Sequence, residues 1–123
     1  MKTRREILDY VQAQVVEQGG RAIEYGNCSL ETSDGKRCGF SLCLSDEGRA
    51  YVKAKRQGGI VSLLTEKEIE DSLAPEFRGH PKAFWFLVQK FHDMSIYWDS
   101  RNLLSEEGVD FYNNIDALVD SLL

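Results

Sequence analysis

The 123 residues, 42% hydrophobic and 28% charged, suffice for one domain with its own core, expected over residues 1–123. No apolar run approaches the length that spans a bilayer, and Asp9 interrupts the basic start "MKTRREILDYV", so no signal peptide is expected, and the chain is expected in the cytoplasm with reduced cysteines and no membrane. The net charge of −5 is uneven: residues 1–61 carry ten Lys/Arg against eight Asp/Glu, but from Asp93 onward seven acids meet only Arg101, which argues against binding a phosphate backbone there and permits a basic protein partner.

Thr3-Arg4-Arg5-Glu6 reads as a capping box that starts a helix, with Ile7, Leu8, Val11 and Val15 on its apolar face and Gly19-Gly20 at its end. The hydrophobic period then changes to two. A short strand over residues 21–25, turned at Gly26-Asn27, precedes three loops of one design, Ser33-Asp34-Gly35, Asp46-Glu47-Gly48 and Arg56-Gln57-Gly58. Each suits a three-residue hairpin closed by a left-handed glycine. The resulting register pairs Thr32 with Lys36, Leu30 with Cys38, Cys28 with Phe40 and Leu42 with Val52. It gathers the even apolar positions on one face and Arg37, Ser41, Arg49, Tyr51, Lys53 and Lys55 on the other. A strand over residues 60–64 continues the meander. In this arrangement Cys28 and Cys38 lie in the core and Cys43 on the opposite face. The spacing of the three thiols lacks the close pair of a zinc knuckle, so neither metal nor cofactor is expected.

The second half reads as helical. Thr65-Glu66-Lys67-Glu68 is a second capping box, opening a short helix with Ile69 and Leu73 that stops before Pro75. Pro81 fits the first turn of a longer helix to about Tyr97, with Phe84, Leu87, Val88 and Phe91 as its buried stripe. Trp85 and Phe86 fall off that stripe. Trp85, Tyr97 and Trp98 are therefore candidates for a partner surface or a homodimer contact. Ser105 caps a last helix, with Glu106 and Glu107 at its positive end and Phe111, Ile115, Leu118, Val119 and Leu122 on its buried face. The expected fold is α+β: an N-terminal helix, a four- to five-stranded antiparallel β-meander, and three C-terminal helices packed on one face of the sheet.

No Ser/His/Asp order, phosphate loop or H-E-x-x-H element is present, and a non-enzymatic role is expected. His92-Asp93 is the type of dipeptide that metal-dependent hydrolases use. Adjacent helical residues diverge, however, and His80 is the only other histidine, so a helix-surface pair is the plainer reading and a small hydrolase an alternative. Arg49, Tyr51, Lys53, Lys55 and Arg56 on one strand and its turn offer a nucleic-acid-binding alternative, against the commoner role of a solvated sheet face.

Cys28, Asp34-Gly35, Arg37-Cys38, Leu42, Asp46-Glu47 and the later Gln89, His92-Asp93 together resemble a pattern in small proteins of bacteriophages and prophages: a C-x-Y hairpin strand, D-G-x-K/R-C-A, a G-x-L-I strand, D-E-x-Y and L-Q-x-x-H-D. Leu30 replaces the usual aromatic, and Gly48-Arg49-Ala50 separates Glu47 from Tyr51. The resemblance spans about the first ninety residues and implies a phage or mobile-element origin rather than an activity. With the small size, surplus aromatics and acidic end, the expected function is binding and inhibition of a host protein in the bacterial cytoplasm, such as a nuclease or CRISPR-type defence complex. Trp85, Tyr97, Trp98, Glu106, Glu107 and Asp110 are the contact candidates, and direct nucleic-acid binding is not expected.

Overall fold

A computed structural model describes residues 1–24, 27–55 and 60–123, apart from the side chains of Asn27, Cys28 and Ile60. The helix α1 (Arg4–Glu17) begins at the anticipated capping box: the Glu6 N–H donates to Thr3 Oγ1 at 3.1 Å and the Thr3 N–H to Glu6 Oε1 at 2.8 Å. It ends in a Schellman motif. Gly20 N–H reaches Val15 O at 2.8 Å and Gly19 N–H reaches Val16 O at 3.1 Å, with Gly19 at φ +87° where a side chain would be strained.

The β-meander does not form. Among the described residues, sheet is confined to β1 (Ile23–Glu24) and β2 (Asn27–Cys28), paired antiparallel with Ile23 opposite Cys28. The Ser33-Asp34-Gly35 turn has the anticipated local register, since Glu31 bridges Arg37, the Thr32 N–H donates to Lys36 O at 2.8 Å and Gly35 sits at φ +89°. Pairing stops at Cys38, whose Sγ caps the helical turn α2 (Gly39–Leu42) by accepting from Ser41 N–H at 3.4 Å. Phe40 therefore has no strand partner, and Cys28 pairs backwards with Ile23.

Residues read as the next hairpin form α3 (Asp46–Lys55), and the strand expected over 60–64 is α4 (Ile60–Leu63). The third hairpin loop, Arg56-Gln57-Gly58, lies outside the described residues. The second capping box starts α5 (Glu66–Ser72) as anticipated. α6 (Lys82–Asp93) is shorter than expected, with Pro81 at its N-cap and a 3-10 turn, Ser95–Tyr97, beyond its end. The last helix is two: α7 (Glu106–Asn113) and α8 (Ile115–Leu122) meet at Asn114. α6 is central and packs against α1, α2, α4 and α8. Its Phe84, Trp85, Val88 and Phe91 are buried among Ile7, Leu8, Val11, Phe40, Ile115 and Val119. Among the described residues no helix is long and apolar enough to cross a membrane.

Two helix starts share one construction. Leu44-Ser45-Asp46-Glu47-Gly48 opens α3, and Leu104-Ser105-Glu106-Glu107-Gly108 opens α7. In each the serine Oγ accepts from the glycine N–H, at 2.9 and 3.1 Å. The leucine makes an isolated β-bridge, Leu44 with Leu73 and Leu104 with Trp98. The serine N–H then donates at 3.0 Å to the carbonyl just before that bridge partner, Ser72 O or Tyr97 O. Each glycine lies directly beneath that carbonyl: a Cβ on Gly48 would stand 1.9 Å from Ser72 O, and one on Gly108 2.1 Å from Tyr97 O. Glycine is required there for closeness, and neither position has positive φ.

Candidate functional site

The acidic C-terminal region separates into paired and unpaired carboxylates. Asp116 on α8 accepts from Arg4 and Arg5 of α1 at 3.0 and 3.4 Å, and Asp99 holds Arg101 at 2.9 Å. The Arg101 guanidinium foremost, then the backbone N–H groups of Arg101 and Leu103, keep the Asp99 carboxyl below its usual range. Glu106, Glu107, Asp110 and Asp120 are exposed and have no counter-ion among the described residues. Glu106 and Glu107 occupy the first turn of α7, where the helix dipole favours acids. Asp110 lies past that turn. Asp120 falls in the last turn of α8, which has no basic residue and where the dipole opposes a negative charge.

A groove crosses the α7–α8 joint beside these acids. Glu107 and Asp110 stand at its α7 end, Tyr97, Phe111 and Leu118 supply apolar surface, and Ala117 lies toward its α8 end. Asn114, at the joint, donates from Nδ2 to Asp110 O at 2.8 Å and closes the end of α7. Phe111 is held from below by a ring stack on Phe91, with centroids 5.2 Å apart, and Tyr97 tilts against it at 4.7 Å. The contact candidates Tyr97, Glu107 and Asp110 thus come together, with Glu106 beside Glu107 on the first turn of α7 but outside the groove lining.

The aromatic candidates of α6 and its end divide differently. Trp85 is fully buried against Phe40 and Phe84, so it forms no partner surface and no homodimer contact. Trp98 is buried and donates from Nε1 to Phe91 O at 2.8 Å. Phe86, 45% exposed, is the aromatic that α6 turns outward. The reason is geometric: α6 is covered on several sides, so the stripe one residue beyond Phe84 is also interior.

His92-Asp93 is a structural junction. The His92 ring is fully buried, its Nε2 accepts the Ala22 N–H at 3.1 Å, and its Nδ1 therefore carries the proton donated to Asp93 Oδ1 at 2.7 Å. Gln89, one turn back, donates to both Asp93 oxygens at 3.0 and 2.8 Å and accepts from the Cys38 thiol at 3.4 Å. Arg21 closes the end of α6 by donating to His92 O and Asp93 O at 3.2 and 3.0 Å. Both ring nitrogens are committed, which leaves His92 no lone pair for a metal, and no cluster of metal-ligating side chains occurs among the described residues. Cys38, Gln89, His92 and Asp93 thus meet in one network. The link through Gln89 was missed, although its i, i+4 spacing to Asp93 placed both on one helix face.

Burial pushes the Cys38 thiol up to about 12 and the Cys43 thiol well above its usual value. Cys43 is fully buried rather than turned to a solvent face, because it ends a helical turn instead of lying in a strand. The Cys28 side chain lies outside the described residues.

The expected basic strip is not a continuous free surface either. Arg49 is buried and clamps the end of α2, donating to Ser41 O and Leu44 O at 2.9 Å each and to Asp46 at 3.1 Å. Lys53 pairs with Glu31 at 2.9 Å and Lys55 with Glu68 at 2.7 Å, while Tyr51 donates its hydroxyl to the Glu68 carboxylate. Arg56 falls outside the described residues. No protein-family model, curated protein or solved structure matches this chain.

Proposed function

We propose that this is a small acidic binding protein that occupies a basic site on a host protein, a site of the kind that otherwise holds nucleic acid. What supports the reading is the placement of Asp110 and Asp120. Both are exposed and without counter-ions among the described residues, and neither benefits from a helix start, so local stability gives no reason for either. Together with Glu106 and Glu107 they give α7 and α8 a one-sign field, which accelerates encounter with a basic surface. The adjoining apolar groove supplies the desolvated contact that charge alone lacks. The resemblance to phage proteins fits a host target such as a nuclease or defence complex.

The test is affinity capture from bacterial lysate with the native chain and with a variant carrying Glu107→Gln, Asp110→Asn and Asp120→Asn. The native chain should retain basic, nucleic-acid-handling proteins that nuclease-treated lysate also yields, and the variant should lose them. An identical captured set from both chains would end the proposal.

A further inference from the structure

The groove's walls determine what shape of ligand it can hold. It runs along α7 and α8, whose interior main-chain groups are paired within the helices, and at the joint Asn114 turns back from Nδ2 to Asp110 O. The strands β1 and β2 lie elsewhere in the chain, so among the described residues no strand edge borders the groove. An extended peptide laid there would bury N–H and C=O groups with nothing to pair them. A helix arrives with its backbone already satisfied.

Side-chain chemistry narrows the ligand further. Glu107 and Asp110 are three residues apart and therefore on one side of α7. Beside them Tyr97, Phe111 and Leu118 offer apolar surface, and Ala117 leaves room for close approach. Resting on the reading of an acidic binder, we propose that the groove takes an amphipathic basic helix from the partner. One apolar side chain of that helix lies against Tyr97, Phe111 and Leu118, while Lys or Arg residues about one turn away meet Glu107 and Asp110. The paired Asp116 takes no part.

Three synthetic probes test this by fluorescence anisotropy: a Leu/Lys peptide patterned as an amphipathic helix, the same composition scrambled to remove the pattern, and oligolysine. The patterned peptide should bind at least about tenfold more tightly than either control, a difference of about 1.4 kcal/mol. Ala117 is exposed, so Ala117→Trp should fill the groove without disturbing the fold and should weaken the patterned peptide by a similar factor while leaving oligolysine unchanged. Equal binding of all three probes, or indifference to Ala117→Trp, would overturn the helical ligand and leave the acidic binding surface standing. Absence of binding by every probe at low salt would overturn both.

Discussion

Trp85 and Phe86 are chain neighbours with opposite environments, and substitution should separate them sharply. Trp85→Ala removes a fully buried indole and should cost about 3–5 kcal/mol. Trp85→Phe should cost much less, because the Trp85 Nε1 is buried without a hydrogen-bond partner among the described residues and the smaller ring removes that unmet donor along with some volume. Phe86→Ser should change the melting temperature little. Thermal denaturation of the three variants checks the ordering, and a costly Phe86→Ser with a mild Trp85→Ala would reverse the assignment. The thiols give a second residue-scale prediction. Cys38 and Cys43 should both react slowly with a thiol reagent in the native state and quickly in denaturant, since burial keeps both in the unreactive protonated form. Fast native labelling of Cys43, identified by peptide mapping, would contradict its burial.

Helix starts carry the lesson at the next scale. Thr3 and Thr65 announce α1 and α5 because a capping box is local: four consecutive residues contain both the signal and its hydrogen bonds. The α3 segment reads as a hairpin because Phe40, Leu42, Leu44, Ala50 and Val52 alternate. Yet Phe40, Leu44, Gly48 and Val52 also recur every four residues, and so short a segment satisfies both periods. The deciding clue was Ser45-Asp46-Glu47, the same cap and acids that identified α7 at Ser105. Gly48 misled because its requirement is tertiary. It is glycine to pass beneath Ser72 O, which no sequence window contains.

The candidate site was legible to a similar extent. Glu106, Glu107 and Asp110 follow from charge, whereas the groove beside them depends on Phe111 packing against Phe91 and Tyr97. Intrinsic propensity says that Gly48→Ala and Gly108→Ala should each stabilise a helix by about 1 kcal/mol. The close approach to a carbonyl says that each should instead destabilise, by about 1–3 kcal/mol or more. Chemical denaturation decides between the two signs.

Acid should reveal the α3–α5 contact. The Lys55 ammonium above all, then the Thr65 N–H and the Tyr51 hydroxyl, hold Glu68 at about 2 against its ordinary 4.5. The folded value is the lower one, so the stabilisation is whole above about pH 4.5 and is lost as pH falls toward 2. Glu68→Gln should therefore be less stable than the native chain at neutral pH and should lose less of its stability between about pH 4.5 and pH 2, the span of that titration. Parallel acid sensitivity of the two chains would remove Glu68 from the contact.

For the molecule as a whole, the paired helix starts have a kinetic consequence. They share the serine cap, the serine N–H bond and the bridge, though the Ser45 hydroxyl donates to Ser72 O and that of Ser105 to Ile96 O, and they close very different lengths of chain: Ser45 and Ser72 are 27 residues apart, whereas Ser105 meets Tyr97 across eight. Loop-closure entropy makes the longer closure costlier by about 1 kcal/mol, so the C-terminal copy should form earlier along the folding reaction. Ser105→Ala and Ser45→Ala remove equivalent caps, each worth about 1 kcal/mol. The first should slow refolding and the second should mainly quicken unfolding. Stopped-flow kinetics on the two variants would then time two copies of one joint within a single chain, with chain length as the principal difference between them.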